Sequence, residues 1–259
     1  MNRRDALGAL AASGFAGMNA AEQPTSSVVL ELTTWFLHNT RENQSVRLSG
    51  YLQNGLAPGL SRAGARLAGV FGNVIGGDGP YYVTLAEYPS LTAMDSVLEK
   101  LSNDHAYAGE LERLDQPGGL PFVRVESSLL RSFGIRPETS RSANDKAPSR
   151  IFELRRYESQ TFITLQRKVG MFLNGEMGVF QRLGMRPVFF GQTFVGPAQP
   201  NLMYMLSYDD LAARDRLWRE FGSDPEWRKI RSAPELQDSE IVSNITNVIL
   251  RALPFSGIR

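Results

Sequence analysis

Three side chains that could bind a ligand alternate along one predicted strand in the second half of the chain. Glu153, Arg155 and Tyr157 share one face of this strand, because successive strand residues point to opposite sides. A carboxylate and a guanidinium two residues apart could bind an oxygenated or charged ligand. They could equally form a structural ion pair, as buried charges require. The sequence leaves both interpretations open.

The first half of the chain repeats this arrangement in a less charged form. Leu-Glu-Leu-x-x-Trp in the first half becomes Phe-Glu-Leu-x-x-Tyr in the second, with Trp35 and Tyr157 separated by 122 positions. Glu31 and Trp35 therefore correspond to Glu153 and Tyr157, and they are ligand-binding candidates for the same reason.

Glu176 is a candidate acid or base. It interrupts an apolar helical stripe, where burial would raise the pKa of its carboxyl and make proton transfer near neutral pH feasible. Alternatively, the helix turns at Gly175 or Gly178 and the carboxylate reaches water. An alignment of the halves sets Glu176 opposite Leu60. Glu176→Leu is therefore expected to raise stability if the carboxyl is buried.

Composition excludes several kinds of site. The chain has no Cys and two His, His38 and His105, so thiol chemistry is excluded and a metal or haem site lacks ligands. No phosphate-binding loop or dinucleotide fingerprint is present, and we expect neither cofactor nor metal. Lys and Arg total 28 against 27 Asp and Glu, a balance that offers no basic surface for nucleic acid.

The first 26 residues are typical of an export signal. Arg3 and Arg4 precede an apolar run diluted by glycine, which resembles a twin-arginine signal and is short for a stable membrane span. We expect export, to a bacterial periplasm. An ordinary N-terminal extension is the alternative.

The remaining chain contains two copies of one unit. Each copy has strand, helix, two strands, helix and strand, and corresponding residues lie about 120 positions apart. The phrases LSNDHAY and FGSDPEW, which end the second helix of each copy, share an Asp and an aromatic residue. Asp224-Pro225 predicts a helix cap followed by Pro at the first helical position, with Trp227 packing the new helix inward. A ligand contact by Trp227 or His105 is the alternative.

The first helix differs between the copies. Pro58 and Gly59 are predicted to break it in copy one, whereas copy two carries an apolar stripe at three- and four-residue steps, with a turn at Gly175 or Gly178 as the alternative. The fold class is α+β, with domains at 27–133 and 150–254 and a polar linker at 134–149.

Phe-Glu-Leu-Arg-Arg-Tyr at 152–157, Arg-Leu-Gly at 182–184 and Asp-Pro-Glu-Trp at 224–227 resemble the NIPSNAP family, and copy one matches more loosely. The resemblance implies two tandem ferredoxin-like βαββαβ repeats whose antiparallel sheets pack as an intramolecular α/β barrel, as in the dimeric α/β-barrel superfamily. If Phe152 and Leu154 meet the helices, the polar set on this strand points into that barrel.

The resemblance implies no established reaction. The sequence favours an exported binding or interaction protein over an enzyme, with an unidentified small molecule or protein as partner and homo-oligomers possible. The alternatives are a cofactor-independent enzyme, monooxygenase- or isomerase-like, acting on a small organic molecule in the barrel cavity, and a structural partner in a periplasmic assembly.

Overall fold

Four strands from each repeat close one antiparallel barrel. The computed structural model describes residues 27–39, 44–116, 119–138 and 150–259; the proposed export signal lies outside them. In these residues the strands are β1 Val29–Phe36, β2 Arg66–Ile75, β3 Tyr81–Tyr88, β4 Arg124–Ser132, β5 Ile151–Glu158, β6 Arg186–Val195, β7 Asn201–Tyr208 and β8 Asn244–Ala252.

The order around the barrel is β1-β3-β2-β8-β5-β7-β6-β4, and β4 returns to β1. Each repeat contributes four consecutive strands in the ferredoxin-like order. Two antiparallel joints connect the repeats: β2 pairs with β8, with Phe71 opposite Ala252, and β4 pairs with β6, with Leu130 opposite Thr193. The predicted intramolecular barrel is therefore confirmed, and its closure uses main-chain hydrogen bonds.

The helices pack outside the barrel. In the first repeat they are α1 Gln44–Tyr51, a π-helical segment Leu52–Leu56, α2 Ala57–Ala63, α3 Leu91–Ser102 and α4 His105–Leu114. In the second they are α5 Phe162–Met171, a π-helical segment Phe172–Glu176, α6 Met177–Arg182, α7 Leu211–Ser223, α8 Pro225–Ile230, the short 3₁₀ turn Pro234–Leu236 and α9 Asp238–Ile241.

Side chains from all eight strands fill the barrel interior. This core contains Leu30, Phe71, Leu130, Phe152 and Leu250, among others, and Leu154 packs against it. Phe152 and Leu154 thus point into the barrel, and the opposite face, with Glu153, meets the helices. The expectation that the polar set lines the barrel is wrong. The interior is apolar, whereas the helices supply the donors that a buried carboxylate requires.

The predicted helix break occurs in the other repeat. Pro58 follows the π-helical segment and lies in the first turn of α2, and its neighbours Leu56 and Ala57 keep right-handed helical dihedral angles, so the chain stays helical there. In the second repeat, Asn174 and Gly175 depart from helical dihedral angles, with φ of −99° and 160°. The helix of the second repeat is therefore the kinked one.

The two matching phrases form equivalent caps, as predicted. Asp224 accepts hydrogen bonds from the backbone of Glu226 and Trp227, both at 3.0 Å, and Pro225 follows it as the first residue of α8. Asp104 caps α4 in the same way. Trp227 is buried and stacks on Phe221, with ring centroids 4.5 Å apart.

Candidate functional site

Glu153 is the centre of a hydrogen-bond network between β5 and α7. Its Oε1 accepts from Arg155 Nη1 at 2.6 Å and Arg214 Nη2 at 2.6 Å, and from Asn247 Nδ2 at 3.1 Å. Its Oε2 accepts from Arg214 Nε at 3.0 Å and Trp218 Nε1 at 2.9 Å. The carboxylate is fully buried and its acceptor sites are occupied, so in this repeat it holds β5 to the helix.

The pKa of Glu153 reflects these partners. Burial raises the pKa, but the hydrogen bond from Arg214 and the charge of Arg155 outweigh it and hold the pKa below its usual range. Arg155 also donates to Tyr157 Oη at 3.1 Å, and its guanidinium lies 4.5 Å from the ring centroid of Trp218. The three predicted residues of β5 are therefore together, in an interlocked cluster.

Glu176 is buried and has a partner that sequence reasoning missed. Its Oε2 accepts from Lys168 Nζ at 2.9 Å, and both side chains are almost inaccessible to solvent. Burial raises the pKa of Glu176, and the charge of Lys168 acts against that shift. Lys168 Nζ also lies over the rings of Phe172 and Trp227, at 4.7 and 5.6 Å from their centroids.

One signal in the sequence and one in the structure bear on this pair. Lys168 lies three residues after Leu165 and four before Phe172, which places it on the apolar stripe. The hydrogen bonds that end each helix, Ala65 N to Leu60 O and Met185 N to Phe180 O, set the true offset at 120. Lys168 and Glu176 therefore correspond to Leu48 and Leu56, and the predicted match of Glu176 with Leu60 is wrong by about one turn.

The first repeat has a cavity in the space that the network fills in the second. It measures about 220 Å³, lies between the sheet and the helices, and is lined by Glu31, Thr33, Trp35, Tyr51, Leu56, Leu60, Leu67, Thr84, Ala86, Tyr88, Leu98, Leu101, Tyr107, Val125 and Ser127. Two predicted candidates, Glu31 and Trp35, thus line one cavity.

Smaller side chains in the first repeat account for this cavity. On the sheet, Thr33 pairs with Thr84 and Ser127, whereas Arg155 pairs with Tyr204 and Asn247. On the helix, Met94 and Leu98 take the positions of Arg214 and Trp218, 120 residues later. Every exchange removes volume or charge from the space between sheet and helix.

Glu31 retains acceptor capacity that Glu153 has lost. Within the described part of the chain, Tyr88 Oη donates a hydrogen bond to its carboxylate, at 2.9 Å. Burial, and then the neighbouring Glu31 charge, raise the pKa of Tyr88, so the phenol keeps its proton and donates. Trp35 Nε1 donates to Thr84 Oγ1 at 3.2 Å, and Tyr51 and Tyr107 share a hydrogen bond of 2.9 Å. The cavity lining thus combines a carboxylate that keeps free lone pairs with several aromatic rings.

The other sequence candidates do not join this site. His105 begins α4 and is absent from the cavity lining, and Trp227 packs within the second repeat. The described residues contain no cluster of three or more His, Asp or Glu that could hold a metal ion. In the same ranges, no helix is both long and apolar enough to cross a bilayer.

Comparisons with known proteins agree with this geometry. The fold defines the chain as an α/β barrel of two ferredoxin-like repeats. A candidate monooxygenase from Fusobacterium nucleatum subsp. nucleatum ATCC 25586 is 10% identical, with a TM-score of 0.58 over 89% of this chain and 94% of that one. A candidate monooxygenase from Lactobacillus acidophilus NCFM is also 10% identical, with a TM-score of 0.58 over 88% of this chain and 94% of that one. At this identity the likeness shows the fold.

The family model described as NIPSNAP matches residues 152–257, which span the second repeat. The second repeat, but not the first, is therefore matched to the NIPSNAP family. A NIPSNAP family protein from Agrobacterium tumefaciens strain C58 is 21% identical, with a TM-score of 0.40, and the match covers 46% of this chain and all of that one. No curated protein matches the sequence significantly.

Proposed function

We propose that the chain is a binding protein whose first repeat holds a small aromatic molecule carrying a hydroxyl or amino group. One observation carries the proposal: the space filled by Arg155, Arg214 and Trp218 in the second repeat is a cavity of about 220 Å³ in the first. An apolar cavity of about 150 Å³ is sufficient for benzene, so this one has room for a substituted ring.

The lining sets the chemistry of the occupant. Tyr51, Tyr107 and Trp35 offer ring faces and edges, and leucines cover much of the remaining wall. Glu31 offers a carboxylate that can accept from a ligand O–H or N–H. A single-ring phenol or aniline fulfils both requirements.

Leu98→Trp tests this assignment. The introduced indole repeats the arrangement of the second repeat, where Trp218 Nε1 donates to Glu153, so we expect it to bond Glu31 and occupy the cavity. Binding of phenol and catechol, measured by isothermal titration calorimetry, should be lost. Glu31→Gln should weaken catechol about tenfold or more, because a charged acceptor becomes neutral.

Leu91→Trp is the matched control. Leu91 is on the same helix, α3, is 44% exposed and does not line the cavity, so this variant should bind the phenols as the parent does. Unchanged binding in Leu98→Trp, or equal loss in both variants, would contradict the proposal.

A second candidate function is a cofactor-independent enzyme acting in the same cavity. The feature that favours it is Glu31, a carboxylate positioned to take a proton from a phenolic ligand. The two structures named as candidate monooxygenases share the fold and supply no residue roles. Consumption of dioxygen with a bound phenol, abolished by Glu31→Gln, would support the enzyme over the binding protein.

We further propose that the protein is exported by the twin-arginine route. Arg3, Arg4 and the weakly apolar run that follows them support this route. A folded barrel suits it, because twin-arginine substrates cross the membrane folded.

A further inference from the structure

A second cavity lies at one end of the barrel, apart from the site between sheet and helices. It measures about 360 Å³ and is bounded by inward-facing residues of both repeats, together with Gly77 and Asp78 from the β2–β3 hairpin and Pro197 from the β6–β7 turn. This volume falls in the range of small-molecule pockets. An eight-stranded barrel is wide enough to hold one small ligand.

The polarity of the cavity changes with depth. Leu32, Val83 and Met203 are buried and form an apolar floor. Above them, Leu154 and Val248 lie opposite each other on β5 and β8, and both remain partly exposed although they face the barrel interior. The cavity can therefore bury further apolar surface, which favours an occupant with an apolar end.

Most of the charge at the rim is already compensated. Arg124 Nε donates to Glu126 Oε1 at 2.7 Å, lies 4.0 Å from Asp78 through Nη2, and stacks over Phe36 at 3.7 Å from the ring centroid. Arg124 is thus already paired with Glu126, while the exposed Asp78 lies at the outer limit of an ion pair.

Arg156 is the rim guanidinium that keeps a buried donor without an acceptor among the described residues. Its Nη2 makes two long contacts, to Thr246 Oγ1 at 3.4 Å and Glu158 Oε1 at 3.3 Å, and the described residues offer no acceptor to its Nε. A guanidinium carries five N–H donors in a fork that matches a carboxylate. The equivalent residue of the first repeat is Thr34, so this fork occurs on one side of the mouth.

We propose that the barrel mouth binds a small amphipathic organic acid, with its carboxylate on Arg156 and its apolar end against Leu154, Val248 and the floor. Charge-assisted hydrogen bonds to the guanidinium fix the head of the ligand, and burial of the hydrocarbon supplies the remaining affinity. This site is independent of the proposed phenol site.

Octanoate and 1-octanol provide the test, because they share a chain and differ in the head group. In calorimetric titrations of the full chain, octanoate should bind about 10- to 100-fold more tightly than octanol, the value of a charged hydrogen-bonded pair. Arg156→Gln should remove this preference while retaining octanol binding, which also reports that the barrel is folded. Leu154→Phe, which fills the cavity, should weaken both ligands.

Two control variants locate the effect. Arg186→Gln removes one positive charge at the opposite end of the barrel and should leave the octanoate preference intact. Leu98→Trp, which fills the phenol cavity, should also leave it intact. The proposal is overturned if the parent binds both ligands equally, if the preference survives Arg156→Gln, or if Leu98→Trp abolishes octanoate binding and Leu154→Phe does not.

Discussion

At the residue scale, two buried glutamates of the second repeat illustrate how partners decide the state of a carboxyl group. Burial raises the pKa of both. Two guanidinium groups and an indole N–H surround Glu153 and bring its pKa below the usual range, whereas Glu176 faces the single ammonium of Lys168 and its pKa stays raised. The surroundings thus stabilise the ionised form of Glu153 and destabilise the ionised form of Glu176.

The pair Lys168–Glu176 gives a prediction that reverses the expectation from sequence. Glu176→Leu leaves a buried ammonium without its acceptor, so we expect a loss of about 3–5 kcal/mol in the free energy of unfolding. Lys168→Leu combined with Glu176→Leu recreates Leu48 and Leu56 of the first repeat. This double variant should lie between parent stability and about 4 kcal/mol above it.

Urea denaturation of the parent, both single variants and the double variant measures the coupling. Additive losses, with the double variant the least stable, would show that the two side chains do not act as a pair.

At the element scale, the π-helical segment of the first repeat places a glycine against a neighbouring helix. A Cβ added at Gly55 would lie 2.7 Å from the Cβ of Glu110 on α4, an atom that cannot rotate away. Gly55→Ala should therefore push α4 outward and cost about 1–3 kcal/mol.

Gly50→Ala is its control in the same helical run, because nothing lies within 4 Å of the added methyl group. Since alanine loses less backbone entropy, this variant should gain about 0.5–1 kcal/mol. Thermal unfolding of both variants checks the pair of values. Equal shifts in the two variants would contradict the close approach.

The elements also show how far the sequence could predict this structure. Strands and caps follow from local patterns, so β1 to β8 and the caps at Asp104 and Asp224 were predictable. The sequence could not predict which face of β5 points into the barrel. Both faces of a barrel strand are covered, and the alternation of residue types does not tell which one meets the helices. The helical spacing of Lys168 was sufficient to predict that it lies on the apolar stripe. The first-repeat cavity was not predictable, since it depends on what several distant residues leave unfilled.

At the scale of the whole molecule, the joints β2–β8 and β4–β6 give a prediction for the separated repeats. Residues 28–133 alone would expose two unpaired strand edges and the apolar interior face, and so would residues 150–259. Expressed separately, each half should aggregate or self-associate, and co-expression should yield a one-to-one complex. Analytical ultracentrifugation measures both. Two soluble monomers without mutual affinity would contradict the prediction.

Export gives a second prediction at this scale. Arg3→Lys with Arg4→Lys keeps the positive charge but removes the arginine pair on which the resemblance to a twin-arginine signal depends. We expect the full-length precursor to accumulate in the cytoplasm of the double variant, as measured by cell fractionation and immunoblotting. Normal accumulation of the double variant in the periplasm would contradict export by the twin-arginine route.

The covalent connection of the two repeats has a genetic consequence. In a homodimer with two-fold symmetry, every substitution appears in both subunits, so neither half can change alone. In this chain each repeat is encoded separately and the barrel forms within one polypeptide. The second repeat therefore carries Arg155, Arg214 and Trp218 where the first carries Thr33, Met94 and Leu98. Selection can therefore act on the two halves of the barrel separately, favouring a filled, rigid network in one repeat and a cavity in the other.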